Sequence, residues 1–422
     1  MSATSSAPRI GALRPTGSWI VYDIAAHGYT LIVSGVAYPV YFASFVAASR
    51  GNADILWSMA LGLPLLFAGL LSPWLGALAD STGRRRALLF AMTIASSVAT
   101  AMLALVGAGD VALGIVLFAV AHLAHLLATS LYNSYLPLIA APDRLARVSG
   151  LAWGLSYLGS VACFLLSLPF TREGLAPGNV SNFTGAFVVS AIFLALLGLP
   201  SVMGLPRGAP MPASGGEPGP YRRVLATIRG WRHDRNVPKL LLAYYLVNDG
   251  VVTALFFTAL TFRKTYGMEV QEILALTLML QLVAIPATIF FGWLGGRWSQ
   301  RGAINVALCL WLAVLVLIAT AEGRDGAVVV TLSLGLVIGS TQSLFRSLFA
   351  GLVPVDRASE YFGFHTLMGR ASAALGPLFF GVVSAATGSQ RAAMASLAVF
   401  FIAGGIVLAF VRLPEQSRTR AA

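Results

Sequence analysis

Residues 19–42 read WIVYDIAAHGYTLIVSGVAYPVYF, an apolar run that holds an aspartate and a histidine one helical turn apart. Trp19, Asp23, His27, Thr30 and Ser34 are spaced four, four, three and four residues apart, so a helix gathers them on one face. Ile20, Val21, Ile24, Ile32 and Val33 fall on the other side. An ionised carboxylate facing hydrocarbon is costly, so the polar stripe must line water or protein. At about 1.5 Å per residue, Asp23 lies roughly 8 Å inside the run. There it can bind a substrate or a coupling ion, or simply pair at the interface.

Three further groups carry the same signal. His122, His125, Thr129 and Asn133 step by three, four and four, next to Tyr132. Two histidines at this spacing need a nearby carboxylate or cysteine to complete a metal site, and the neighbouring sequence has neither, so polar packing or pH sensing is the expectation. Tyr245, Asp249 and Thr253 share a face, with Asn248 alongside. Asp249 is about ten residues into its apolar run, where burial favours the protonated carboxyl unless a cation balances it. It is the candidate proton-binding residue, with a salt bridge to an arginine as the alternative. Arg346, on one face with Gln342, is close enough to its helix end to snorkel or to bind substrate. Arg370 is too deep to snorkel and needs a counter-charge, either Asp249 or a substrate anion gripped through two parallel hydrogen bonds. Tyr157, Gln281 and His365 could add polar contacts.

The elements that position these residues are transmembrane. Of 422 residues 57% are hydrophobic and only 10% charged, and the mean hydropathy is +0.80. Apolar runs near 17–44, 54–78, 86–107, 111–138, 148–169, 183–204, 237–262, 270–292, 303–320, 327–351, 360–386 and 391–412 each have the length that crosses a bilayer. The expected architecture is all-α with twelve spans, in two six-helix bundles at 1–204 and 237–422. They are joined by a Pro/Gly/Ser-rich, then basic, linker at 205–236. The net charge of +12 is spread over short loops and forms no face able to track phosphates, which excludes nucleic acid. Cys163 and Cys309 lie within apolar runs and predict neither disulfide nor metal. The first eighteen residues carry no signal-peptide pattern. Placing both termini in the cytoplasm puts twenty of the 28 basic residues inside and six outside, leaving Arg346 and Arg370 in the membrane. All but Lys239 and Lys264 of the basic residues are arginine, a bias of GC-rich, bacterial coding.

The halves echo each other. PDR at 142–144 matches VDR at 355–357, and the same offset of 213 residues sets Asn133 on Arg346 and Tyr157 on Arg370. GALADSTGRRR at 76–86 matches GWLGGRWSQRG at 292–302. Such duplication predicts two bundles rocking about a central site. Gly62, Gly69 and Gly76, and Gly150 with Gly154, read as small-residue packing seams. In the loop at 76–86, Gly76 permits close helix contact and Gly83 a tight turn. Asp80 can meet the positive end of a helix starting near Ser359. Arg84 and Arg85, with Arg86, hold the loop at the anionic surface.

GALADSTGRRR resembles the loop signature of the major facilitator superfamily. WIVYDIAAHGY, YNSYLPLIA, SGLAWGLSYLGS and YYLVNDG resemble the permease branch related to the fungal vacuolar, autophagy-associated amino-acid effluxer. The resemblance implies the twelve-helix fold, a loop that stabilises an outward-open state, and amino-acid export. The second-half loop departs from the signature, with Gly296 where an aspartate would stand, which implies an asymmetric latch.

No phosphate-binding loop and no clustered nucleophile, metal or cofactor site is visible, so neither ATP-driven transport nor enzyme chemistry is expected. The reading is a proton-coupled secondary exporter of a small polar, zwitterionic or anionic metabolite, working as a monomer in the bacterial inner membrane with substrate, protons and lipid as partners. A multidrug or hydrophobic-compound exporter of the same fold and a non-transporting sensor are the alternatives.

Overall fold

A computed structural model describes residues 13–176, 178–208, 219–264, 268–372 and 375–413. Arg9, Arg418, Arg420 and linker residues 209–218 lie outside them. Among the described residues twelve helices are long and apolar enough to cross a membrane: α1 Pro15–Val46, α2 Ile55–Thr82, α3 Arg85–Leu105, α4 Val111–Ile139, α5 Leu145–Thr171, α6 Val180–Met203, α7 Asn236–Thr258, α8 Ala275–Arg297, α9 Gln300–Thr320, α10 Gly323–Leu352, α11 Val355–Thr387 and α12 Gln390–Ala409. Several begin before the apolar runs do. A polar first turn such as that of α10, which opens on Gly323, Arg324 and Asp325, costs little at the headgroup level.

Helix α1 widens to a π-type ladder at Thr30–Val36, ahead of Pro39. Pro39 donates no N–H and its ring clashes with the carbonyl four residues back, so the ladder rearranges there. The rearrangement starts at Thr30, within the polar stripe. Helix α2 ends at Gly83, whose φ of 66° is the left-handed conformation that glycine adopts without strain.

The linker contains a helix that its polarity had concealed. Pro220–Gly230 is opened by Pro220, whose missing N–H is harmless in the first turn. Arg223 and Thr227, one turn apart, are both buried against the bundles. These two side chains find partners there, and Val224 with the capping Trp231 packs against the core beside them.

The bundles meet on the linker side. A Cβ on Gly76 would lie 2.1 Å from the Ser359 carbonyl oxygen, and one on Gly363 2.5 Å from Pro73 Cα, so α2 and α11 touch through their backbones. A Cβ on Gly150 would lie 2.6 Å from Gly292 Cα, which sets the same closeness between α5 and α8. Along α2 the contact relaxes: Gly69 would meet Leu367 at 3.3 Å, and Gly62 meets nothing within 4 Å. Gly62, expected in the seam, therefore lies beyond it. The far part of α11, Leu375–Thr387, packs mainly on α7 and the start of α12 of its own bundle. The halves are pressed together on the linker side and diverge toward the other.

Candidate functional site

Arg346 of α10 crosses into the first bundle. Its Nη1 donates to Asp23 Oδ2 at 3.1 Å and to Asn133 Oδ1 at 3.2 Å. Its Nε donates to Ser149 Oγ at 2.9 Å and its Nη2 to the Ser149 carbonyl at 3.0 Å. The guanidinium carbon lies 4.7 Å from the ring centres of both Trp19 and Trp153. Fork-shaped donors on four acceptors, between two indole faces, give this cation ionic, hydrogen-bonding and cation–π contacts at once. Arg346 is 1% exposed and neither snorkels nor stands open to a solute.

The carboxylate has a second neighbour. Asp23 Oδ1 lies 3.4 Å from His27 Nδ1, whose ring meets Trp153 and Tyr157 edge-on at 5.5 and 6.2 Å. Tyr132 stacks between Trp19 and Tyr22, with centroids 4.8 and 5.0 Å away, and its carbonyl accepts from Trp19 Nε1 at 3.0 Å. Asn133 and Arg346, which the sequence repeat would superimpose at an offset of 213 residues, are in contact. Residues exchanged by a two-fold axis touch only close to that axis. The cluster ties α10 to α1, α4 and α5 across the two bundles.

The second group lies in the other bundle. Asn248 Nδ2 donates to Ser372 Oγ at 2.6 Å and to the Gly369 carbonyl at 3.2 Å, and Gln342 Nε2 donates to Asn248 Oδ1 at 2.5 Å. Asp249 is fully buried. Its Oδ1 accepts from the Gly376 amide at 2.8 Å, while Oδ2 has no hydrogen-bond partner among the described residues. Pairing of Asp249 with Arg370, one expectation from the sequence, is absent: the carboxylate faces the far part of α11. Arg370 is left with neither ion pair nor hydrogen bond among the described residues. A Cβ on Gly69 of the opposite bundle would lie 3.6 Å from Arg370 Cβ, so this cation stands where the seam begins to open. His365 stacks on Tyr244 at 4.0 Å, and its Nε2, like Gln281 Nε2, is buried without a hydrogen-bond partner among the described residues. Tyr157 lines α5 opposite Gly339, where a Cβ would come within 2.9 Å of its hydroxyl. His122 and His125 stack against Tyr29, and His125 Nε2 is 3.2 Å from Thr30 Oγ1. No group of three or more histidine, cysteine, aspartate or glutamate side chains suited to a metal occurs among the described residues.

The 76–86 loop forms a third cluster at the linker-side surface. Asp80 accepts from the Ser359 and Glu360 amides at 3.3 and 2.9 Å, so its charge sits on the N-terminal turn of α11. Arg85 donates to Asp80 at 2.6 Å and to the Ser134 carbonyl at 3.3 Å. Arg84 is exposed, and Gly76 and Gly83 make the close contact and the turn already described. Glu360, fully buried, is held by Arg223 of the linker helix at 3.2 Å and by Arg357 at 2.9 Å, and it accepts from Thr227. Glu360, Arg223, Ser149 and Trp153 were missed in the sequence. Only the placement of a glutamate at the very start of an apolar run hinted at the first.

The chain matches the family model described as "Vacuole effluxer Atg22 like" over residues 52–421. It is 27% identical over 415 residues to the MFS-type transporter YxiO of Bacillus subtilis, covering 95% of each chain. It is 23% identical over 299 residues to autophagy-related protein 22 of Cryptococcus neoformans, covering 65% of this chain and 52% of that one, so it spans about half the length of the fungal relative. Its fold is that of the proton:xylose symporter XylE, with a TM-score of 0.71 at 13% identity over 95% of this chain and 96% of that one. These are transporters rather than enzymes. The chain is a member of the Atg22-like family of major facilitator superfamily transporters.

Proposed function

We propose that the protein is a secondary carrier that exports a small zwitterionic or anionic metabolite by proton-coupled alternating access. The observation that carries this reading is the pair of cross-bundle clusters on the linker side, with Arg370, which has no ion pair or hydrogen bond among the described residues, where the seam begins to open. With the linker inside, as the arginine distribution favours, the conformation is outward-open. Asp23–Arg346 and Asp80 on the α11 N-terminus are the two bolts of the inner gate. Inward opening requires Arg346 to leave Asp23, Asn133, Ser149 and both indoles together.

Arg370 is the group we assign to the substrate's carboxylate or other anionic group. Asn248, Gln281, Gln342, Tyr157 and His365 supply the polar surroundings. Asp249 is assigned the proton: an enclosed carboxylate with one oxygen unpaired and no ion pair among the described residues is suited to gain and lose one as α11 moves. Asp23 serves the gate, with His27 as its second partner. The arginine-rich coding supports a bacterial plasma membrane.

A thermal-shift screen of amino acids, organic acids and amines on purified protein tests this. Stabilising ligands should carry a carboxylate or comparable anion and lose their effect on Arg370→Ala. Stabilisation by lipophilic cations alone would point instead to a hydrophobic-compound exporter.

A further inference from the structure

A second site lies away from the bundle axis, where α7 begins and α12 ends. His233, Asp234, Arg235, Asn236, Lys239 and Arg412 line a cavity of about 230 Å³ on the linker side of the second bundle. Its floor is tied: Asn236 Nδ2 donates to the Arg412 carbonyl at 2.7 Å, and the Arg412 amide donates to Asn236 Oδ1 at 2.6 Å. Lys239 Nζ reaches the Phe410 carbonyl at 3.4 Å. The one carboxylate in the lining, Asp234, accepts the Asn236 amide at 2.9 Å and closes the first turn of α7. Arg235, Lys239 and Arg412 have no carboxylate within ion-pair distance among the described residues. Three permanent cations thus converge on a concave site whose own anion is turned to the backbone.

The depth of the site identifies what fills it. It lies where α7 starts and just past the end of α12, and the ends of spans meet the lipid headgroups. Directly below it the surface is apolar and open: Leu242 is 48% exposed, Phe410 66% and Ile406 56%. Phosphate chemistry suits the cavity, and an acyl chain suits the wall beneath it. A basic pocket at this level adds roughly the attraction of one interfacial cation for each side chain.

We propose that this pocket binds the headgroup of an anionic phospholipid, with the acyl chains along Leu242, Ile406 and Phe410. Free phosphate shares the headgroup chemistry but makes no use of the apolar wall. Such a lipid bridges the start of α7 and the end of α12.

The test is native mass spectrometry of the full chain, titrated with phosphatidylglycerol, phosphatidylcholine or inorganic phosphate. Wild type should retain phosphatidylglycerol over phosphatidylcholine, and millimolar phosphate should not displace it. Arg235→Gln with Arg412→Gln should weaken retention by about 30-fold, the weight of two interfacial cations. Its melting temperature in phosphatidylcholine should match wild type. If the double variant misfolds, Lys239→Gln alone should give a loss of about fivefold. Equal retention of both lipids, displacement by phosphate, or undiminished phosphatidylglycerol binding in the folded variants would each overturn the proposal.

Discussion

Asp23→Asn is the substitution that most sharply separates a gate from mere packing. It keeps the size of the side chain and one hydrogen-bond acceptor for Arg346 but removes the charge, leaving the guanidinium to Asn133, Ser149 and two indoles. Removing one partner of a buried ion pair costs about 3–5 kcal/mol, because the other charge remains buried. The retained acceptor and the cation–π contacts lower that to about 2–3 kcal/mol. The cost falls only on the state in which the bundles are closed on the linker side. A margin of about 100:1 for that state would then fall to near parity. Nitroxide labels at exposed Asp143 and Trp298, one in each bundle on the linker side, report the equilibrium by pulsed electron resonance, with Cys163 and Cys309 replaced by serine. Wild type should give one short distance, and Asp23→Asn a second, longer one of comparable weight. A single distribution superimposable on that of wild type, in a folded Asp23→Asn protein, would refute the reasoning.

Other outcomes follow from the same geometry. Gly76→Ala places a Cβ against the Ser359 carbonyl and should shift the same label pair to the longer distance, since the backbones must part. Arg370→Gln should leave the melting temperature within about 2 °C of wild type, because the guanidinium has no ion pair or hydrogen bond among the described residues, yet abolish ligand-induced stabilisation. Asp249→Asn should give transport that no longer responds to a pH gradient, measured as uptake into proteoliposomes with and without one. Glu360→Gln removes a buried charge facing Arg223 and Arg357 and should speed amide exchange in the helix Pro220–Gly230 by about 30-fold, equivalent to about 2 kcal/mol.

The twelve helices were legible because crossing hydrocarbon imposes a length and a composition, and each run can be judged alone. The face bearing Asp23 was legible for the same local reason, through its helical spacing. Its partner was not: Asp23 and Arg346 are 323 residues apart, and only the packing of two bundles brings them together. The repeat offset held a clue, since it superimposes Asn133 on Arg346. That two equivalent positions should touch follows only once the axis is known to pass between them. Asp249 and Arg370 invited pairing on charge and depth, but a span registers depth and not rotation, and Asp249 turns to the Gly376 amide instead. The linker helix was hidden because its buried Arg223 and Thr227 find their partner in Glu360, a residue of another element.

The most direct test is solute flux in proteoliposomes, with the carboxylate-bearing ligands that stabilise the purified protein supplied on one side and the pH gradient set independently. The account predicts saturable transport that the gradient accelerates in wild type and that Arg370→Gln eliminates. Ligand binding without any translocation, or transport undiminished in Arg370→Gln, would contradict it.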